Sequence, residues 1–215
     1  MLASGRGSNL QALLDAIADG RLDAQLVGVF SDRPSARALQ RVPPALRWSR
    51  DAKSYAQRED FDRELADAVA ARQPDWIVCA GYLRILGDAF VARFRGRLLN
   101  IHPSLLPKYR GLRTHARALE AGDPEHGASV HFVIPELDAG TVIAQARVPV
   151  MPDDSPETLS ERVLAQEHRL LVAVLRLATA DRLTERGTTV SLDGHTLFTP
   201  LHLDCSGDIV HTGTE

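Results

Sequence analysis

Two periods of hydrophobicity succeed one another along this chain, and the change between them marks its architecture. Leu10, Leu13, Leu14 and Ile17 fall on one helical face, with Ser8 or Asn9 placed to cap the start and Gly20 just past the end. The run Leu26-Val27-Gly28-Val29-Phe30 predicts a buried strand. Phe61, Leu65 and Val69 predict a second helix, stopped by Pro74. Trp76-Ile77-Val78-Cys79-Ala80 and Leu98-Leu99-Asn100-Ile101 predict two more strands, with a helical segment over 89–94 between them. Strand alternating with helix gives an α/β class: a doubly wound, mainly parallel sheet with helices on both faces.

From Ser129 the period shortens to two. Val130, Phe132 and Ile134 alternate with other residues, and 142–150 predicts a further strand after the Asp138-Ala139-Gly140 turn, making an antiparallel region. Ser155 and Pro156 open a long helix with Leu159, Val163, Leu170, Val174 and Leu175 on its apolar face. Residues 188–198 read as a C-terminal hairpin around Asp193-Gly194, and the polar stretch 205–215 as a loosely ordered tail. Neither a repeat nor a linker divides the chain, so 1–215 is expected to be a single domain.

Composition narrows the class without choosing a function. The 215 residues are 44% hydrophobic, enough for a substantial core, and the net charge of −3 argues against a nucleic-acid or anionic-membrane surface. Cys79 and Cys205 lie far apart with no metal-ligand spacing, and Cys79 sits in an apolar run. No stretch has the length of a signal peptide or a membrane span, so a cytoplasmic location is expected.

The chemistry concentrates in Asn100-Ile101-His102-Pro103-Ser104-Leu105-Leu106-Pro107. Pro103 ends the strand, and residues two apart on a strand project from one face, so Asn100 and His102 can reach one ligand atom at its carboxyl end. Asp138, in Glu136-Leu137-Asp138-Ala139-Gly140, adds a carboxylate. An amide donor, an imidazole and a carboxylate suit acyl transfer: the amide steadies an oxyanion, the imidazole supplies a proton, and the carboxylate holds the imidazole charged, raising its pKa. In isolation an Asn-x-His is a hydrogen-bonded loop; its surroundings here say more. Gly5 and Gly7 around Arg6, with Ser8-Asn9 opening a helix, form a candidate anion site. Leu10 stands where a dinucleotide fingerprint needs its last glycine, which disfavours a nicotinamide cofactor.

The octapeptide, with Lys108-Tyr109-Arg110-Gly111-Leu112, Gly127-Ala128-Ser129-Val130-His131-Phe132-Val133, Ser4-Gly5-Arg6-Gly7-Ser8-Asn9 and Gln166-Glu167-His168, resembles the glycinamide ribonucleotide formyltransferases from Ser4 to about Leu177. Methionyl-tRNA formyltransferase and formyltetrahydrofolate deformylase share the Asn-His-Asp core and are the alternatives. The first carries an extra C-terminal domain and a basic surface, and the second an extra N-terminal domain; this acidic chain starts directly at the glycine loop and is expected to have neither. A non-catalytic binding protein would be expected to have a damaged Asn-His-Asp set.

The resemblance implies transfer of the formyl group of 10-formyltetrahydrofolate to the amine of glycinamide ribonucleotide in purine biosynthesis, with Asn100, His102 and Asp138 catalytic and no metal. It implies that Gly7, Ser8, Asn9 and Glu167 bind the ribonucleotide. Leu83, Arg84, Ile85 and Leu86, together with Ile134, Pro135, Glu136, Leu137, Asp138 and Asn100, would bind the folate, with Arg58 meeting its glutamate tail. By itself Glu167 reads as an exposed helix carboxylate, Arg58 as part of a solvated charge run, and Leu83 and Leu86 as core. His115 and His131 flank the motif and can serve as a second layer. The expected partners are these small molecules, with neither nucleic acid nor membrane, and the expected assembly a monomer or homodimer. Two departures stand out. Residues 1–3 leave almost no strand before the glycine loop, so either the natural chain begins upstream or these residues are only the end of that strand. Arg113 replaces a histidine found in some members.

Overall fold

The computed structural model describes residues 1–210. The elements are α1 (Ser8–Ala18), β1 (Val29–Ser31), β2 (Arg47–Ser49), α2 (Arg58–Ala70), β3 (Ile77–Ala80), α3 (Asp88–Arg93), β4 (Leu98–His102), α4 (Thr114–Glu120), β5 (Glu125–Phe132), β6 (Val142–Pro149) and α5 (Pro156–Thr179). Five short strands follow: β7 (Leu183–Arg186), β8 (Thr189–Leu192), β9 (His195–Leu197), β10 (Leu201–Leu203) and β11 (Ile209–Val210).

Alternation along the strands builds two cores. Val78 and Ala80 of β3 and Leu99 and Ile101 of β4 join Leu10 and Leu13 of α1 and Leu159, Val163 and Leu170 of α5 in one apolar cluster. Ile77, Cys79 and Leu98 turn to the other face, against Phe61 and Leu65 of α2 and Phe90 and Phe94 near α3. Helices therefore cover both faces, as the continuous apolar runs of β3 and β4 require. Each fully buried leucine or phenylalanine contributes about 2 kcal/mol in such a core.

The sheet is mixed. β1 pairs parallel to β2, β3 to β4 and β6 to β10, whereas β4–β5, β5–β6 and β10–β11 are antiparallel. Residues 1–3 fill the central position. Leu2 bridges Phe30 and Cys79 in parallel, its N–H reaching the Val78 carbonyl at 2.8 Å, and the Ala3 N–H reaches Phe30 at 3.0 Å. The strand expected over 26–30 occupies 29–31, because its pairing with β2 begins at Val29, while the Gly28 carbonyl accepts from the Met1 amine at 2.8 Å.

Other boundaries shifted too. Neither Ser8 nor Asn9 caps α1. Gly7 holds that position with φ 74°, a left-handed conformation, and a Cβ there would lie 2.8 Å from Ala38. Ser155 does cap α5, in a reciprocal capping box with Thr158. The hairpin around Asp193-Gly194 is the β8–β9 pair, widened to three strands by β7. Residues 205–210 are ordered by the β10–β11 pairing and by Arg169 donating to the Cys205 carbonyl; the rest of the expected loose tail, 211–215, lies outside the described residues.

Candidate functional site

Asn100 and His102 sit on the face of β4 shared by Leu98, and β5 continues the polar stripe. The antiparallel register sets His131 opposite Asn100 and Ser129 opposite His102. The residues between them, Leu99, Ile101, Val130 and Phe132, go to the opposite core. One face of these strands is thus apolar throughout and the other carries chemistry.

His131 is 2% exposed, with Nδ1 2.8 Å from the Phe132 carbonyl. That contact holds the proton on Nδ1 and leaves Nε2 as an acceptor, 3.0 Å from the Asn100 amide nitrogen. The imidazole thereby fixes which end of the Asn100 amide faces the cleft. One amide hydrogen is engaged by His131; the second turns to Asp138 Oδ1, a long 3.4 Å contact that a ligand oxygen can replace.

Asp138 comes from the turn after β5. It has φ 47°, and the turn closes tightly because residue 140 is glycine: a Cβ there would fall 1.8 Å from the Phe132 carbonyl oxygen. The carboxylate is aimed back over β4. Its Oδ2 accepts the Gly111 N–H at 2.9 Å and lies 3.3 Å from His102 Nδ1; its Oδ1 lies 3.4 Å from the Asn100 amide and 3.7 Å from His131 Nε2. His102 Nε2 is 2.9 Å from the Tyr109 carbonyl.

Burial, which would raise the Asp138 pKa, is outweighed by His131, by the charge of His102 and by the Gly111 amide, so the carboxyl stays below its ordinary value. For His102 the balance goes the other way. Burial lowers its pKa, and neither the Tyr109 carbonyl nor Asp138 restores it. The expectation of a raised His102 pKa is therefore corrected: the acceptors that favour the cation are present, but the ring is 6% exposed and loses more hydration than they return.

The residues expected to meet the folate form the two walls of a cleft of about 80 Å³. Arg84, Ile85 and Leu86 line one side, Ile134, Pro135, Glu136 and Leu137 the other, and Asn100, His131 and Asp138 the floor. This is smaller than the ~300–1,000 Å³ of typical small-molecule pockets. Leu83 does not line the cleft. It is 58% exposed, because its backbone N–H is turned inward to Ser4. Leu86 is buried, as the core reading expected. Arg58 is no free surface cation: it starts α2, pairs with Asp62 at 3.4 Å, and donates to the Ile85 carbonyl at the outer rim.

The start of α1 forms a second polar cluster with α5. Asn9 is buried, and its amide donates to Glu167 Oε2 at 2.8 Å, while its own Oδ1 has no partner among the described residues. Glu167 is 8% exposed, which corrects its reading as an exposed helix carboxylate; α5 turns it inward, and burial raises its pKa against the Asn9 hydrogen bond. With no side-chain cap on α1, the first-turn amides of Ser8 and Asn9 have no partner from the helix itself.

Sequence reasoning placed the trio but gave His131 no definite role. Its signal was parity alone, an odd-numbered position in an alternating strand beside the motif. His115 packs instead edge-on to His126, ring centres 5.1 Å apart, and Arg113 points to Glu120 at the surface. An apolar cavity of about 450 Å³ lies at the amino ends of the strands, lined by Met1, Leu13, Ile17 and Trp76, away from the trio. Among the described residues no group of acidic, His or Cys side chains could hold a metal, and no helix is long and apolar enough to cross a membrane.

Residues 1–175 match the family model described as formyl transferase. The chain is 46% identical over 199 residues to the phosphoribosylglycinamide formyltransferase of Escherichia coli K12, covering 92% of this chain and 94% of that protein. It is 40% identical over 179 residues to the human trifunctional purine biosynthetic protein adenosine-3, covering 82% of this chain and 18% of that protein. Among solved structures, the phosphoribosylglycinamide formyltransferase of Coxiella burnetii superimposes with a TM-score of 0.86 at 46% identity, covering 91% of this chain and 93% of the other.

Proposed function

The chain belongs to the formyl transferase family, and from that membership we propose that it carries the formyl group of 10-formyltetrahydrofolate to the amine of glycinamide ribonucleotide. The products are formylglycinamide ribonucleotide and tetrahydrofolate, a step of purine biosynthesis. The observation that carries this reading is the convergence of Asn100, His102 and Asp138 at the end of β4, beside the cleft.

In this reading the ribonucleotide phosphate meets the free amides of Gly7, Ser8 and Asn9, and a ribose hydroxyl meets Glu167. The pterin enters between 83–86 and 134–138, with Arg58 at the rim for the glutamate tail. The amine attacks the formyl carbon, a C–N bond forms, and the carbonyl oxygen becomes an oxyanion. The second Asn100 hydrogen and a His102 N–H stabilise it; one such donor is worth about 3 kcal/mol. At Nε2 the oxyanion takes the place of the Tyr109 carbonyl. Asp138 keeps a charged His102 within reach and receives the proton of the attacking amine through water. The bond to N10 then breaks as N10 takes a proton, so the net movement is one proton from amine to N10. The small-molecule substrates suit the cytoplasm, and the assembly is a monomer or homodimer.

The test is a formyl-transfer assay. Formylated product should accumulate with the ribonucleotide, far more slowly with its unphosphorylated riboside, and not with initiator methionyl-tRNA. Release of free formate in place of ribonucleotide formylation would overturn the reading.

A further inference from the structure

Ser4 lies at the junction of the two binding segments and is 3% exposed. Its hydroxyl donates to Asp32 Oδ1 at 2.5 Å and accepts the Leu83 backbone N–H at 2.9 Å. Its own N–H donates to the Gly81 carbonyl at 3.0 Å. Asp32, 4% exposed, is anchored in turn at the end of β1, where its carbonyl accepts the Ala52 N–H at 3.1 Å.

A hydroxyl has one hydrogen. With that hydrogen committed to Asp32, the Ser4 lone pairs must face Leu83. The glycine loop that follows Ser4 directly and the segment 82–86 therefore share one fixed atom. We propose that Ser4, held by Asp32, is a positioning residue that couples the ribonucleotide loop (5–9) to the folate segment (82–86), so that each substrate tightens the binding of the other. The inference rests on the formyl-transfer reading for the identity of the two ligands. Its physical basis is ordering. A ribonucleotide that holds the glycine loop also damps the remaining motion of Ser4 and hence of the Leu83 amide, so the folate meets a segment with less conformational freedom left to lose. The effect must be reciprocal, because both ligands act on one coupling free energy.

Calorimetry under anaerobic conditions tests this, with glycinamide ribonucleotide titrated into the protein with and without saturating tetrahydrofolate, and the reverse. In the parent protein each ligand should tighten the other by the same factor, about fivefold or more. Ser4→Ala should bring that factor close to one. Asp32→Asn, whose amide oxygen still accepts the Ser4 hydroxyl, should keep it, and Asp32→Leu should lose it. A second measurement needs no variant: hydrogen exchange at the Leu83 amide of the parent should slow several-fold when the ribonucleotide alone is bound. Two ligands that bind independently, coupling retained in Ser4→Ala, or a Leu83 amide indifferent to the ribonucleotide would each overturn the link while leaving the formyl-transfer reading intact. A parent protein that binds neither ligand would overturn that reading and the link with it.

Discussion

Glu167→Gln should weaken the binding of glycinamide ribonucleotide while stabilising the free protein. In the parent, Glu167 Oε2 has one partner, the Asn9 amide, and Oε1 makes no hydrogen bond within the described residues. Oε1 is therefore the acceptor that the proposed ribose contact would use. A hydrogen bond to a charged group contributes about 1.5–3 kcal/mol and a neutral one about 0.5–1.5, so exchanging carboxylate for amide costs binding roughly 1.5 kcal/mol, or about tenfold in Kd. Turnover at saturating ribonucleotide should change by less than about twofold, since Glu167 touches none of the reacting atoms. Stability moves the other way. Burial raises the Glu167 pKa above its ordinary 4.5. A raised acid gives stability that is fully present below the unfolded value and is lost as pH rises through the folded value. The glutamine variant lacks this loss, so its advantage should be absent at pH 4 and present at pH 8. Calorimetric titration and urea denaturation at the two pH values measure both effects. A Kd within twofold of the parent, or a variant less stable than the parent at pH 8, would refute the assignment.

His102→Ala should lower turnover by roughly a hundred- to ten-thousandfold and leave ribonucleotide affinity within about twofold, as single-turnover kinetics and calorimetry would read; near-parental turnover removes the imidazole from the mechanism. The NMR titration midpoint of the His102 ring should lie below 6.5 in the parent and lower still in Asp138→Asn, which loses the opposing charge; an unchanged midpoint would mean that the carboxylate does not tune the ring. With His102 and His115 lowered and His126 pushed down to about 4, their stabilisation is complete above 6.5 and is lost as pH falls through the folded values, so denaturation midpoints should drop between about pH 6.5 and 4. Gly140→Ala should displace the 136–140 turn, costing roughly 1–3 kcal/mol of stability and more turnover than ribonucleotide affinity; a variant with parental kcat and melting temperature would contradict the close approach to Phe132.

What the sequence revealed and what it hid divide along local and non-local lines. The long helix was legible because its signals are contiguous: Ser155, Pro156, Thr158 and an apolar face from Leu159 onward. Asn100 and His102 were legible because strand parity alone puts them together. The Asn100–His131 contact was not, since it depends on a register between strands some thirty residues apart. The parallel pairing of β10 with β6, across the whole of α5, left no mark in the local pattern either. Residues 26–28 look like strand by composition, yet a strand exists only where a neighbour supplies hydrogen bonds, and the pairing with β2 begins at Val29. The direction of the His102 shift was misjudged because a sequence displays the carboxylate partner but not how completely the ring is buried.

The ladder that holds Asn100, His102, Ser129 and His131 has a consequence for how such a site can change. Positions on a strand are discrete: a slip of one residue turns the whole polar set into the apolar core, and a slip of two moves each group by about 7 Å. The β4–β5 register offers no intermediate step, and the one irregularity beside it among the described residues is the register shift between β5 and β6 at Val130/His131. The graded variables sit elsewhere, in the backbone of 82–86 and of the turn that carries Asp138. A variant enzyme for a larger acyl group is therefore to be sought by varying those two walls, with β4 and β5 left as they are.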